Sequence, residues 1–363
     1  MIPLPRGRSF LDCALSPESS ALGVSVTGPV LPVAMRDGTI QGGWLASDQD
    51  ECCHGDGLLS SRVLVLGGGG FIGSHVVTAA AKCGYSVRVF DRQASALGEL
   101  PPSVEVVVGD WYDHSALAAA LVGCDTVIHL ISCSVPADAF PLSQEVTSNV
   151  LPTLGLLEAV AEANVRNVVF ASSGGTVYGN GSVGPLTEEA ALSPQCPYGV
   201  GKVLVEQCLR FFAAKTGTAV TVLRPSNPYG PGQSPLGRQG AIPIFMRKIA
   251  VGEEIALFGN PSRDFLYVED LAEAFVLAIR GHHEGFRILN VGSGRTTELQ
   301  QVVRLIEDTI GRRARVIRKG HREYDVDTNS LAIDRIGRSL AWSPRVSLAE
   351  GIARTWSWVQ TVI

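Results

Sequence analysis

Tyr198 and Lys202 stand four residues apart, a spacing that puts both on one face of a helix. A phenol can take and return a proton, and an ammonium beside it lowers its pKa toward neutral pH. Shortly before them, Val168 to Ala171 reads as a buried strand that runs into Ser172-Ser173-Gly174-Gly175-Thr176. That run places hydroxyls and flexible backbone at the C-terminal end of a strand, where open α/β sheets bind ligands. A Tyr-x-x-x-Lys spacing is common by chance, so it gains meaning from the segments around it.

The first of these segments is Gly67-Gly68-Gly69-Gly70-Phe71-Ile72-Gly73. It follows the apolar run Val63-Leu64-Val65-Leu66 and opens a helical stretch. The Gly67-x-x-Gly70-x-x-Gly73 spacing suits a dinucleotide. One glycine makes the turn, one lets the pyrophosphate approach the backbone, and one lets the helix pack on the sheet. The helix N-terminus adds free N–H groups and partial positive charge. Asp91 ends the next strand at the distance expected for an acid on the adenosine ribose, which favours NAD over NADP. Arg92 follows at once and partly opposes that preference. Asp110 is a candidate for the adenine amino group.

These residues need a scaffold. Strands are expected at 63–66, 86–90, 104–108, 126–130, 168–171 and 220–223, with helices at about 74–82, 113–121, 143–164 and 198–216. Alternation of this kind implies a doubly wound parallel sheet of Rossmann type, covered on both faces. Beyond residue 225 the pattern breaks into Pro- and Gly-rich chain, then further helices and a strand near 286–291. The expected organisation is a poorly ordered extension at 1–60, a nucleotide-binding domain at 61–225, and a smaller α/β substrate-binding cap at 226–363 interleaved with it.

Composition narrows the function classes. Hydrophobic residues make up 45% and charged residues 18% of 363, which suits a globular chain with a sizeable core. The net charge of −5 argues against nucleic acid as a partner. No stretch reaches the roughly 18 to 20 apolar residues of a membrane span. Eight cysteines form no CxxC pair, and Cys52-Cys53-His54 lacks zinc spacing, so no metal is expected. Reduced thiols fit the cytoplasm.

With these motifs in order, the sequence resembles the extended short-chain dehydrogenase/reductases, and within them the NAD-dependent epimerase/dehydratase family near the UDP-glucose 4-epimerases. The resemblance covers roughly residues 62–358. It rests on the glycine turn, His129-Leu130-Ile131-Ser132, the serine-rich strand end, and Tyr198 with Lys202. Further support comes from Leu223-Arg224-Pro225-Ser226-Asn227-Pro228-Tyr229-Gly230, Arg263-Asp264-Phe265 and Asn290-Val291-Gly292-Ser293-Gly294.

The resemblance implies that Tyr198 is the acid/base and that Lys202 holds the nicotinamide ribose. It places Phe71, Ile72, Leu130 and Asn149 beside the cofactor. Asn227, Arg263 and Arg322 fall at the substrate's diphosphate. Asn329 falls at the position that restricts the sugar pocket, and the helices at 143–164 and 198–216 pair across a homodimer.

Three positions depart from the family pattern. Gly174 stands where the catalytic Ser or Thr is usual, which leaves Ser173 first and Thr176 second as the hydroxyl. Gly201 replaces a Ser before Lys202, and Ser134 stands where a Lys is common.

Family members diverge in the groups beside Thr176, where dehydratases carry an Asp-Glu pair and decarboxylases a Glu. Gly174-Gly175-Thr176 offers no carboxylate, so the reading is C4 epimerisation of a UDP-sugar with NAD. The alternatives are another nucleotide-sugar reaction of the family, or a non-catalytic dinucleotide sensor. The presence of both Tyr198 and Lys202 argues against the sensor.

Overall fold

The computed structural model describes residues 61–93, 100–180, 184–259, 261–281, 283–320 and 328–363. The segment 1–60 and Arg322 lie outside the described residues.

Seven parallel strands form the central sheet. They are β1 (Arg62–Leu66), β2 (Ser86–Asp91), β3 (Glu105–Val108), β4 (Thr126–His129), β5 (Asn167–Ala171), β6 (Ala219–Pro225) and β11 (Phe286–Val291). Their spatial order is β11-β6-β5-β4-β1-β2-β3. The chain winds outward from β1 in both directions, so β1 and β4 flank the switch point where a ligand crevice opens beyond the strand ends. The amide of Leu130 donates to the carbonyl of Leu66 at 3.0 Å and carries this pairing one residue past β4.

Alternation along β1 explains why the sheet is covered twice. Val63 and Val65 face one core with Val76, Val77 and Ala80 of α1 (Phe71–Lys82) and with Phe275 of α7 (Val268–Arg280). Leu64 and Leu66 face the other core. That core is made with Leu117 of α2 (His114–Leu121), Leu156 and Val160 of α4 (Leu151–Glu162), and Leu209 of α5 (Pro197–Thr216). Period-two side chains buried on both faces give the apolar run seen in the sequence.

The expected helix at 143–164 is real but interrupted. It starts as α3 (Leu142–Glu145), passes through a π-helical turn at Val146–Val150, and resumes as α4 with Pro152 near its start. Proline lacks an N–H and so fits near the beginning of a helix.

After residue 225 the chain alternates between two bodies of packing. β7 (Asn227–Tyr229), α6 (Ala241–Val251) and β8 (Glu254–Phe258) are followed by β9 (Ser262–Arg263) and β10 (Phe265–Tyr267). α7 and β11 then return to the seven-stranded sheet. β12 (Thr297–Glu298), α8 (Leu299–Ile310), β13 (Arg315–Lys319) and β14 (Thr328–Asn329) come next, then α9 (Asp334–Leu340) and α10 (Leu348–Val359). Ile242, Met246, Val302, Ile306 and Ile352 bury the smaller core between α6, α8 and α10. Among the described residues, no helix is long and apolar enough to cross a membrane.

Candidate functional site

The glycine turn sits at the switch point. Gly67 has φ +81°, a left-handed conformation that favours glycine. A Cβ on Gly73 would fall 2.1 Å from the carbonyl oxygen of Gly67, so the start of α1 can lie on the turn only because residue 73 has no side chain. No side chain caps α1 at Gly70, which leaves its opening for a ligand. Beside the turn is a cavity of about 270 Å³, lined by Gly67, Gly70, Asp91, Arg92, Leu130 and Cys133 among others. Asp91 Oδ2 accepts a hydrogen bond from the Gly69 N–H at 2.9 Å, which fixes the carboxylate at the edge of the turn.

The remaining expected cofactor residues divide into two groups. Asn149 is buried, and its Oδ1 accepts from the Cys133 N–H at 2.8 Å, so it braces the cavity wall. Phe71, Ile72 and Gly73 do not line the cavity and contribute the backbone of the helix start. Asp110 is exposed, and its Oδ1 accepts from the Tyr112 N–H at 3.1 Å. Its neighbours Gly109 and Trp111 line the cavity in its place. Trp111 and Cys133 were not singled out by the sequence, because a lone Trp or Cys in a loop carries no spacing signal.

The catalytic candidates converge at the end of β5. The Ser173 hydroxyl lies near enough to the Tyr198 phenol to lower its pKa. Lys202 is buried, with Nζ 5.5 Å from the Tyr198 ring centroid and donating to the Ala171 carbonyl at 2.9 Å. Burial lowers the Lys202 pKa to about 8, opposed by the carboxylates of Glu145 and Glu206.

The Tyr198 phenol is raised above its ordinary value. Burial is the main cause, because a phenolate loses its hydration. The nearby Ser173 hydroxyl lowers it, and Cys196 and Glu145 raise it.

The structure separates the three hydroxyls near this point. Ser172 donates to Glu206 Oε1 at 2.5 Å, within a buried pair where Arg224 grips Glu206 through Nε and Nη2 at 2.9 and 2.5 Å. Its role is therefore to brace the strand end. Ser173 faces Tyr198. Thr176 Oγ1 is buried with no partner in the described protein, a costly arrangement that a ligand oxygen would relieve. Gly174 cannot supply the usual hydroxyl. A Cβ there would meet Leu331 Cδ1 at 2.5 Å and the Arg224 carbonyl oxygen at 2.9 Å.

Among the residues expected to meet a substrate, Asn227 Nδ2 and the Asn227 N–H both donate to the Asp264 carbonyl at 2.9 Å. The buried Asp264 side chain accepts from the Ser293 N–H and Oγ, each at 2.7 Å. Asp264 therefore knits together two loops that the sequence marked separately. Arg263 is half-buried in β9, where its backbone pairs with that of Asn329 in β14.

This arrangement has known counterparts. The NAD dependent epimerase/dehydratase family matches residues 63–292. The chain is 34% identical to a UDP-glucose 4-epimerase of Mycolicibacterium smegmatis, over 81% of this chain and 97% of that protein. It is 32% identical to a dTDP-4-dehydro-6-deoxyglucose reductase of Escherichia coli, over 80% of this chain and 95% of that one. Its fold superposes with a TM-score of 0.78 on the crystal structure of a Thermotoga maritima UDP-glucose 4-epimerase with UDP-glucose. That structure is 33% identical, with 83% of this chain and 99% of that chain covered.

Proposed function

The chain belongs to the NAD dependent epimerase/dehydratase family, and from that premise we propose that it is an NAD-dependent isomerase that inverts C4 of a UDP-linked hexose. The observation that carries this reading is the Ser173–Tyr198–Lys202 cluster, set in a loop whose residues 174–176 hold no carboxylate.

The cavity suits NAD on its own evidence. The cradle at Gly67–Gly73 excludes side chains, α1 starts uncapped, and the Asp91 carboxylate stands at the turn. Gly67, Gly70, Asp91, Leu130 and Lys202 would hold the cofactor, braced by Asn149. When bound, NAD supplies the acceptor for the C4 hydride and the means of returning it to the opposite face.

The chain's own residues handle the proton. Tyr198 takes it from the C4 hydroxyl as the sugar is oxidised and gives it back when the 4-keto sugar is reduced. Ser173 shares the sugar oxygen, and Thr176 offers its unpaired hydroxyl alongside. Lys202 brings a positive charge to a site that otherwise disfavours the phenolate. No base stands in the 174–176 loop to remove a proton from C5, so the hydroxyl at C6 stays in place. Asn227, Arg263 and Arg322 hold the diphosphate, for which guanidinium groups are suited.

The same reading places the enzyme in the cytoplasm, in keeping with five free cysteines among the described residues. It also makes the enzyme a homodimer through α4 and α5. A groove of about 520 Å³ between these helices is lined by Leu154, Leu157, Ala161, Cys208 and Phe211, and Phe211 is 66% exposed. Exposed apolar area of this kind suits a second copy.

The test is incubation of the purified protein with UDP-glucose and NAD. The expected product is UDP-galactose with no net NADH. A 4-keto-6-deoxy sugar or a pentose product contradicts the assignment.

A further inference from the structure

Glu145 ends α3 and is only 2% exposed. Its Oε2 accepts from Ser134 Oγ at 2.6 Å and its Oε1 accepts from Asn149 Nδ2 at 3.0 Å. Both donors lie just behind the cavity wall: Asn149 holds the N–H of Cys133, which lines the cavity, and Ser134 follows Cys133 in the chain. On its other side the carboxylate lies against α5 at Gly201. A Cβ on that glycine would fall 2.4 Å from Glu145 Oε1. Two departures from the family pattern, Ser134 and Gly201, therefore meet at one carboxylate. Ser134 donates to it and Gly201 makes room for it.

We propose that Glu145 is a positioning residue for the Tyr198–Lys202 pair. Its carboxylate fastens this face of α5, one residue before Lys202, to the Ser134 and Asn149 side chains and so sets a negative charge near the lysine. The role assigned to the pair rests on the proposed function, but the contacts do not. A buried charge is costly unless paired and hydrogen-bonded. Glu145 and Lys202 lessen that cost for each other, with the two side-chain donors completing the carboxylate's partners.

Other groups also face Lys202. Glu206 lies on α5 itself, Cys133 follows β4, and His129 ends β4. Glu206 is already committed to Arg224, which leaves Glu145 as the carboxylate with no cation of its own among the described ion pairs. Facing Tyr198 are Cys196 and the same Glu145.

The test reads the titration midpoint of Lys202 by lysine side-chain NMR in protein without cofactor, with Lys202→Arg to assign the signal. In Glu145→Gln the midpoint should fall by about 1 pH unit, the scale of a neighbouring opposite charge. Glu145→Asp should restore much of it. Gly201→Ser, which pushes the carboxylate aside, should reproduce the fall with the glutamate still present. The alkaline limb of kcat should move with the midpoint.

An unchanged midpoint in both Glu145→Gln and Gly201→Ser would overturn the proposal and leave Glu145 a packing residue. Should Glu145→Gln not fold, Gly201→Ser and Glu145→Asp decide by the same criterion. A shifted midpoint in a protein that turns over no UDP-sugar keeps this inference and removes the epimerase reading.

Discussion

Lys202 Nζ lies 5.5 Å from the centre of the Tyr198 ring while donating to the carbonyl of Ala171 at 2.9 Å. The lysine is thus tied to the end of the strand that leads into Ser173, and the phenol near Ser173 stands on the helix that carries the lysine. Strand end and helix hold one another. Tyr198→Phe should therefore fold normally and bind NAD as the parent does. We expect its kcat to fall by about 10²–10⁴, the worth of a positioned acid/base. Calorimetric NAD binding beside steady-state rates checks both halves.

The two remaining hydroxyls should separate in their effects. Ser173→Ala removes the partner of Tyr198 and is expected to lower kcat by roughly 10²-fold. Thr176→Val removes a buried hydroxyl that has no protein partner. Its thermal stability should hold or rise, while KM for the sugar nucleotide increases. An equal loss of kcat in both variants would contradict the assignment of Ser173.

Gly174→Ser tests whether the usual position of the hydroxyl is closed. The new Cβ must displace Leu331 or the backbone at Arg224. We expect a loss of about 1–3 kcal/mol of stability, typical of overpacking, and no gain in rate. Trimming Leu331 to Ala in the same protein should recover part of that loss, as measured by denaturant unfolding.

Acid should destabilise the fold through His129. This side chain is 3% exposed, and burial first, then Lys202, lowers its pKa to about 3. Between that value and the ordinary 6.5 the unfolded chain binds a proton that the folded chain does not. Stability contributed by neutral burial is therefore complete above about pH 6.5 and is lost as pH falls toward 3. The full span is on the order of 5 kcal/mol. His129→Gln should flatten this part of the stability–pH curve, even if its stability at pH 7 is lower.

Asp91→Ala should weaken NAD binding by about tenfold or more, the scale of one lost hydrogen bond to a charged group. It also frees the Gly69 N–H, so the turn should become more mobile. Equal affinity for NAD in variant and parent would remove Asp91 from the site.

The fold was legible where one physical rule dominated. The run Val63–Leu66, ending abruptly in glycine, reads as a strand buried on both faces, and after such a strand and before a helix, glycine at 67 and 73 suits the turn between them. The site was less legible where partners are distant in sequence. Nothing near Glu145 announces that it meets Gly201, because the contact joins two helices more than fifty residues apart. The same holds for Leu331 over Gly174. Gly174 and Gly201 read as missing hydroxyls in the sequence, whereas in the structure each marks space taken by a side chain from elsewhere.

The most direct test of the central claim follows a label at C4. UDP-glucose deuterated at C4 should be converted to UDP-galactose with the deuterium still at C4 and none in the solvent, as NMR and mass spectrometry would record. Deuterium lost to water, moved to C6, or held in NADH beside a stable keto sugar would contradict epimerisation by oxidation and return at one carbon.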